Sequence, residues 1–317
     1  MRYTKLPLLV AVVLASAVLP FLATAQGVLH VPQFPLLDTE HSPLNGLPNL
    51  YEPKGGLYSD ILNFSPQCGC SPYTVSATGE WFNLRNNDAK ASVMHKYSVD
   101  GSLQLSANHL WRLGMRHLRG MAFADAQNRT IVPTETTLDL GYATMLTPHL
   151  KAGAIVGTAF VHYNQLKVTP YASLALGYDT TLKALTEQDN FSLRLQVNQL
   201  ALHTGMPTRM VLGAKYTVSL WDGDGIIGVG TATHIPLRYT TYYAQTQETG
   251  LDLLLLKHWS LQASYRSAAF ASYKSGQQYW SFAAGYKGTQ LACRVSYWRP
   301  ESVTVRHALG VSLAYGL

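Results

Sequence analysis

The sequence predicts an all-β protein, an antiparallel transmembrane β-barrel of about 14 strands preceded by an irregular N-terminal arm. Three observations carry this. The first is a period of two. The chain closes on HALGVSLAYGL, where Leu309, Val311, Leu313, Tyr315 and Leu317 alternate with Ala308, Gly310, Ser312, Ala314 and Gly316. Successive strand side chains point to opposite faces, and here neither face carries a charge from Ala308 onward. The second is composition: charged residues make up 13% of the 317, about half the ~25% of soluble domains. The third is a leader at the start, with no later apolar run near the ~20 residues that a spanning helix needs. Only helices and closed barrels satisfy every backbone group inside hydrocarbon.

In residues 1–25, Arg2 and Lys5 precede an apolar stretch from Leu8 to Leu22, and Ala23-Thr24-Ala25 follows. That is the order of a signal peptide with cleavage after Ala25. A retained anchor is the alternative, and Pro20 and the small-residue site argue against it. Without Arg2 and Lys5, the 24 Lys and Arg fall to 22 against 18 acidic residues. This mild, scattered excess does not suggest nucleic acid as a partner.

Residues 26–72 are rich in Pro, Gly and polar side chains and show no sustained period. They read as an arm or plug packed on or into the following domain, with disorder as the alternative. Residues 73–317 then read as strand, turn, strand. TTLDLGYATML sets Leu138, Leu140 and Tyr142 against Thr137, Asp139 and Gly141. RMVLGAKYTVSL sets Leu212, Tyr216 and Val218 against Gly213, Lys215 and Thr217, and DGDG turns after it. QYWSFAAGY puts Trp280, Phe282 and Tyr286 on one face, and Lys287-Gly288 turns into QLACRVSYW, whose Leu291, Cys293, Val295 and Tyr297 share a face. The expected lipid-facing set is Trp280, Phe282, Tyr286, Leu291, Val295, Leu309, Val311, Leu313, Tyr315 and Leu317. Trp111, Tyr142, Tyr163, Trp221, Trp259 and Trp298 fall near strand ends, as an aromatic girdle would. Asp139, Arg194, Arg209, Lys215, Arg266 and Arg294 are expected to point inward as paired or lumen-lining charges.

No H-E-x-x-H, G-x-S-x-G, P-loop or dinucleotide glycine pattern occurs. The twelfth position from Asp222 is Thr233, so DGDG lacks the terminal Glu of a calcium loop. No catalytic residue, cofactor or metal is assigned, and the chain is read as a non-enzyme. Cys68 and Cys70 are a possible disulfide across one glycine, a small strained ring, with two unpaired thiols or a structural clip as alternatives. Cys293 reads as a small hydrophobe.

From Ser102 to Leu317 the chain resembles the PorV branch of the FadL-like outer-membrane barrels, part of the type IX secretion system of Bacteroidetes. The likeness lies in LQLSANHLWRLGMRHLRGMAFADAQNRTIVPTETTLDLGYATMLTPHLKAGAIVG, in MPTRMVLGAKYTVSLWDGDGIIGVGTATHIPL, in LLLLKHWSLQASYRSAAF and in YWSFAAGYKGTQLACRVSYWRP with the terminal strand. Residues 26–72 lack the family's Gly- and Ala-rich opening and its NPA-like motif, and the last residue is Leu317 where many such barrels end in an aromatic. The resemblance implies a place in the Gram-negative outer membrane, with lipid, secreted cargo and secretion subunits as partners. It implies a role in binding cargo C-terminal domains and passing them to surface attachment, through loops around Asp125–Glu135, Ala184–Asn190 and Tyr239–Thr249. Two other roles fit the same pattern: a FadL-like transporter of hydrophobic small molecules and a structural subunit of an outer-membrane assembly. An apolar tunnel would favour transport; a plugged polar lumen would favour a scaffold.

Overall fold

The computed structural model describes residues 47, 58, 61–62, 73–84, 93–120, 123–124, 130–162, 166–186, 189–201, 208–221, 224–238, 245–268, 278–300 and 305–316. Cys68, Cys70, Tyr163 and Leu317 lie outside them. The strands are β1 (Tyr73–Leu84), β2 (Val93–Ser106), β3 (His109–Arg119), β4 (Phe123–Ala124), β5 (Thr130–Ile131), β6 (Thr134–Met145), β7 (Leu150–His162) and β8 (Leu166–Thr181). They continue as β9 (Asn190–Ala201), β10 (Arg209–Leu220), β11 (Gly225–Pro236), β12 (Thr246–Leu255), β13 (Trp259–Ala268), β14 (Tyr279–Lys287), β15 (Leu291–Pro300) and β16 (Val305–Gly316).

Fourteen of these close into one antiparallel barrel in chain order, and β1 pairs with β16 from Thr74↔Gly316 to Leu84↔Val305. Closure removes the exposed sheet edges that would otherwise seek a partner. The two-residue strands β4 and β5 form a separate small hairpin in the link between β3 and β6, a stretch whose sequence reads as plain loop. Every wall strand has at least the nine residues of β14, close to the ~9–11 of a tilted spanning strand.

The longest links gather at one rim. At the other, called the turn rim, β strands are joined by residues 107–108, 146–149, 182–189, 221–224, 256–258 and 288–290. Leu256 and Lys257 there take φ of 52° and 62°, and the His258 amide donates to the Leu255 carbonyl at 3.1 Å. Two successive positive φ values are the twist-matched hairpin turn, held here without glycine. The Lys257 amide also donates to the Asp224 carbonyl and its ammonium pairs with the Asp224 carboxylate at 2.7 Å, which ties two neighbouring turns together. The opposite, loop rim carries the longer links, such as 85–92, 120–133 and 269–278.

The direction of the two faces is reversed from a soluble sandwich. Leu113 is 67% exposed and Leu313 51%, whereas Arg112 and Lys215 are 2% and Glu248 and Asp252 are 0%. The apolar side chains cover the outside, and the polar ones converge inside. Trp298 corrects the expected girdle: it is 4% exposed and packs inside against Phe82, Met94, Tyr279 and Ala308. Its neighbours Tyr297 and Arg299 face outward, and the pleat turns Trp298 in.

Candidate functional site

The lumen holds the concentration of buried polar groups expected of a working site. Charges that the strand pattern turns inward find one another on neighbouring strands or, in one case, across an intervening strand. Lys215 on β10 reaches Asp252 on β12 at 2.6 Å, both essentially buried. Asp252 breaks the apolar run LDLLLL, and this pairing is the reason for it. Asp179 on β8 takes Arg194 of β9 at 2.7 Å and Lys151 of β7 at 2.8 Å. Glu248 on β12 takes Arg266 of β13 at 2.8 Å and accepts from the Ser264 hydroxyl at 2.6 Å. The Arg266 guanidinium lies 4.9 Å from the Tyr279 ring centroid, and His234 sits 3.8 Å from Glu248. Lys96 and Glu80 pair at 3.3 Å. Of the inward charges expected from sequence, Asp139, Arg194, Lys215, Arg266 and Arg294 are buried and Arg209 is half-buried.

The remaining cluster includes a residue from outside the wall. Asp139 on β6 accepts from the Tyr58 hydroxyl at 2.9 Å and the Thr137 hydroxyl at 2.7 Å, and from the Tyr171 hydroxyl. Arg116 approaches the same carboxylate at 3.9 Å and lies 4.4 Å over the Tyr58 ring. Tyr58 thus completes a site built from β3, β6 and β8. Two residues further along the same arm do the same with apolar groups. Ile61 and Leu62 are buried against Leu110, Ala143 and Ala175. Leu47 is buried against Val211 and Ala232 on the far side. Inward glycines make these contacts possible. A Cβ on Gly153 would lie 2.9 Å from Leu62 Cδ2, and one on Gly213 would lie 2.5 Å from Leu47 Cδ2, distances that real side chains do not tolerate.

Trp280, Phe282, Tyr286, Leu291, Val295, Leu309, Leu313 and Tyr315 project outward and are exposed, and Val311 is half-exposed on the same face. Cys293 is a free thiol on that face, half-exposed. Near the turn rim, Trp111 packs on Tyr142 at 4.7 Å and Trp259 on Tyr286 at 5.2 Å. The three loops expected to act together do not share a rim. Residues 120–133 and 237–245 lie at the loop rim, while 182–189 joins β8 to β9 at the turn rim. There Asp189 organises its own turn, accepting from the amides of Ala184 and Thr186 at 3.0 and 2.9 Å and from the Tyr216 hydroxyl at 2.6 Å. Burial raises its pKa, but hydrogen bonds from Thr186, Tyr216 and Leu185 outweigh it and hold the carboxyl down at about 2.

No family model and no curated protein matches the chain. Solved structures do. The toluene transporter TodX of Pseudomonas putida aligns with a TM-score of 0.50 at 10% identity, over 87% of this chain and 98% of its own. A TodX deltaS2S3 mutant, a monoaromatic hydrocarbon channel, aligns at 0.50 and 9%, over 78% and 91%. A Pseudomonas aeruginosa FadL homologue aligns at 0.49 and 9%, over 87% and 96%.

The chain is an outer-membrane β-barrel.

At such identities the likeness is one of fold. The charge pairs and arm contacts above are this barrel's own arrangement, and the arm contacts are the part that strand periodicity could not reveal. Residues 26–72 have no period, and only the inward glycines Gly153 and Gly213, read together with Leu47 and Leu62, could have hinted at them.

Proposed function

We propose that this chain is a FadL-like barrel that passes small hydrophobic molecules, and that arm side chains occupy the ligand's place in the closed state. The observation that carries the reading is the pair of apolar seats on the lumen wall that the arm fills, one with Ile61 and Leu62 and the other with Leu47. A barrel that served only as a scaffold could line these places with paired charges, as it does elsewhere. The TodX fold supports the same reading. Residues 1–25 serve as the signal peptide, 26–72 as the arm and 73–317 as the barrel. The outward set from Trp280 to Tyr315 meets acyl chains.

Uptake of radiolabelled toluene and of a long-chain fatty acid by cells expressing the protein tests the proposal. At least one should enter several-fold faster than in cells with empty vector. Equal rates for both compounds, with the barrel shown to be folded by heat-modifiable migration on gels, would overturn it.

A second reading, recognition of secreted cargo in type IX secretion, is favoured by one observation: Lys215–Asp252, Arg194–Asp179 and Arg266–Glu248 line the lumen wall with charge. In that case the loops around 125–135 and 239–249 make the contact, without 184–190. Co-purification of cargo domains or secretion subunits from native outer membranes, lost on deletion of residues 239–244, is the result it requires.

A further inference from the structure

On the outer wall near the loop rim, one row of side chains runs across five strands through direct register partners: Trp81↔His95, His95↔Arg119, Arg119↔Thr134 and Thr134↔His162. All five project outward, with Arg119 and His162 exposed. One row below, His117 lies between Tyr97 and Thr136. Its Nδ1 meets the Thr136 hydroxyl at 2.9 Å, which fixes the ring. The His95 ring stacks parallel to Tyr97. Strands lie about 4.8 Å apart, so His95, His117, Arg119 and His162 fall within a patch on the order of 15 Å wide. Among the described residues, every carboxylate carried by a wall strand faces the lumen: Glu80, Asp100, Glu135, Asp139, Asp179, Glu248 and Asp252 are buried or half-buried there. The outer patch therefore carries the Arg119 cation and imidazole hydrogen-bond donors, and among the described residues no carboxylate of a wall strand shares its surface.

Its height matters. Trp81, Tyr97 and Phe160 lie within this row or the one below it, and such aromatics sit at headgroup level. Long links mark the cell-surface side of outer-membrane barrels, so this patch meets the headgroups of the outer leaflet. Beneath its β3, β6 and β7 side, an apolar concavity of about 580 Å³ spans β3 and β6 to β9, walled by Leu113, Leu138, Leu140, Val156, Pro170 and Leu200. Leu138 lies four residues along β6 from Thr134, the register partner of Arg119, or about 13 Å toward the membrane centre at strand rise.

We propose that His95, His117, Arg119 and His162, with the concavity below, form a binding site for a phosphorylated lipid of the outer leaflet. Arg119 and the imidazoles take the phosphate, for which a guanidinium is suited, and the acyl chains lie in the groove over β6 and β7. The charge complementarity above and the apolar groove below fit one molecule that carries both chemistries. The site is on the outside of the wall and stands apart from the lumen and from whatever the lumen passes.

Native mass spectrometry of the full barrel in mild detergent, with bisphosphorylated lipid A and its dephosphorylated form added in turn, tests this. The phosphorylated form should be retained at least tenfold more, and the variant His95→Gln/His117→Gln/Arg119→Gln should lose that preference. Lys257→Gln/His258→Gln at the turn rim, which removes cationic groups from the other end, should keep it. Equal retention of the two lipids, or an unchanged preference in the triple variant with folding verified on gels, would overturn the proposal. So would displacement of the lipid by millimolar inorganic phosphate, because the patch would then be an anion site with no claim on the acyl chains.

Discussion

The two halves of the lumen are finished differently. On the side that runs from β12 through β16 to β1 and β2, the wall completes itself. Glu248 has Arg266 and Ser264, and Phe82, Met94, Tyr279 and Trp298 fill the space above with aromatic edges, Tyr279 and Trp298 at 5.1 Å. On the side of β3 to β11, the wall is incomplete alone: Val211 and Ala232 there are covered by Leu47. Asp139 takes its third hydroxyl from Tyr58, and Leu110, Ala143 and Ala175 are covered by Ile61 and Leu62. One half is a rigid polar strut; the other is a receptacle that the chain fills with its own arm. A barrel that must open has reason to concentrate its removable contacts on one side, because local stability is low where few contacts hold a segment.

The largest effect should come from breaking the self-completed half. Arg266→Met removes the guanidinium that pairs with the fully buried Glu248, and breaking a buried pair by removing one partner costs about 3–5 kcal/mol. Urea unfolding in lipid vesicles should show the loss, and a midpoint like that of the unaltered barrel would mean that the strut is not where its stability lies. Leu62→Ala should cost about 2–5 kcal/mol at its seat, yet leave the wall folded, since every wall strand keeps its ladder. The expected signature is faster protease cleavage of the arm with unchanged heat-modifiable migration. Loss of the folded band instead would erase the distinction between the halves. Tyr58→Phe removes one hydrogen bond to a buried carboxylate, worth about 1.5–3 kcal/mol, and retains the ring under Arg116. It should therefore loosen the arm less than Leu62→Ala in the same digestion.

The smallest effect is local and lies outside both halves. The Asp189 carboxyl is held at about 2, below its ordinary 3.8. A depressed carboxylate contributes stability above its unfolded pKa and loses it as pH falls through the folded one. The 182–189 turn should accordingly become cleavable by pepsin between about pH 4 and pH 2, with rates taken relative to an unstructured peptide. Asp189→Asn should be cleaved alike across that window.

Much of this was legible in the sequence. Alternation such as Leu138-Asp139-Leu140 separates the two faces, and the scarcity of charge on the strands together with the leader sets Asp139, Arg194, Lys215 and Arg266 inward. Parity also held the answer for Trp298: Leu291, Cys293, Val295 and Tyr297 share a face, so the next residue belongs to the other. Position near a strand end is a weaker signal than the pleat. The rim assignment of residues 184–190 depends on counting every preceding hairpin, and one miscount moves a loop to the opposite side of a membrane. The salt-bridge partners were not readable, because Lys215 and Asp252 are 37 residues apart and meet across an intervening strand. The arm was least legible of all, since its contacts follow neither period and depend on the space left by Gly153 and Gly213.

The most direct test of the receptacle is thiol crosslinking in the outer membrane. Leu62→Cys is paired with Gly153→Cys, and separately with Ala154→Cys on the outward face, in a background with Cys68, Cys70 and Cys293 replaced by Ser. A short bis-maleimide should join residue 62 to residue 153 and leave 154 unlinked. Failure to link 153, or equal linking of 154, would place the arm outside the lumen and contradict the account.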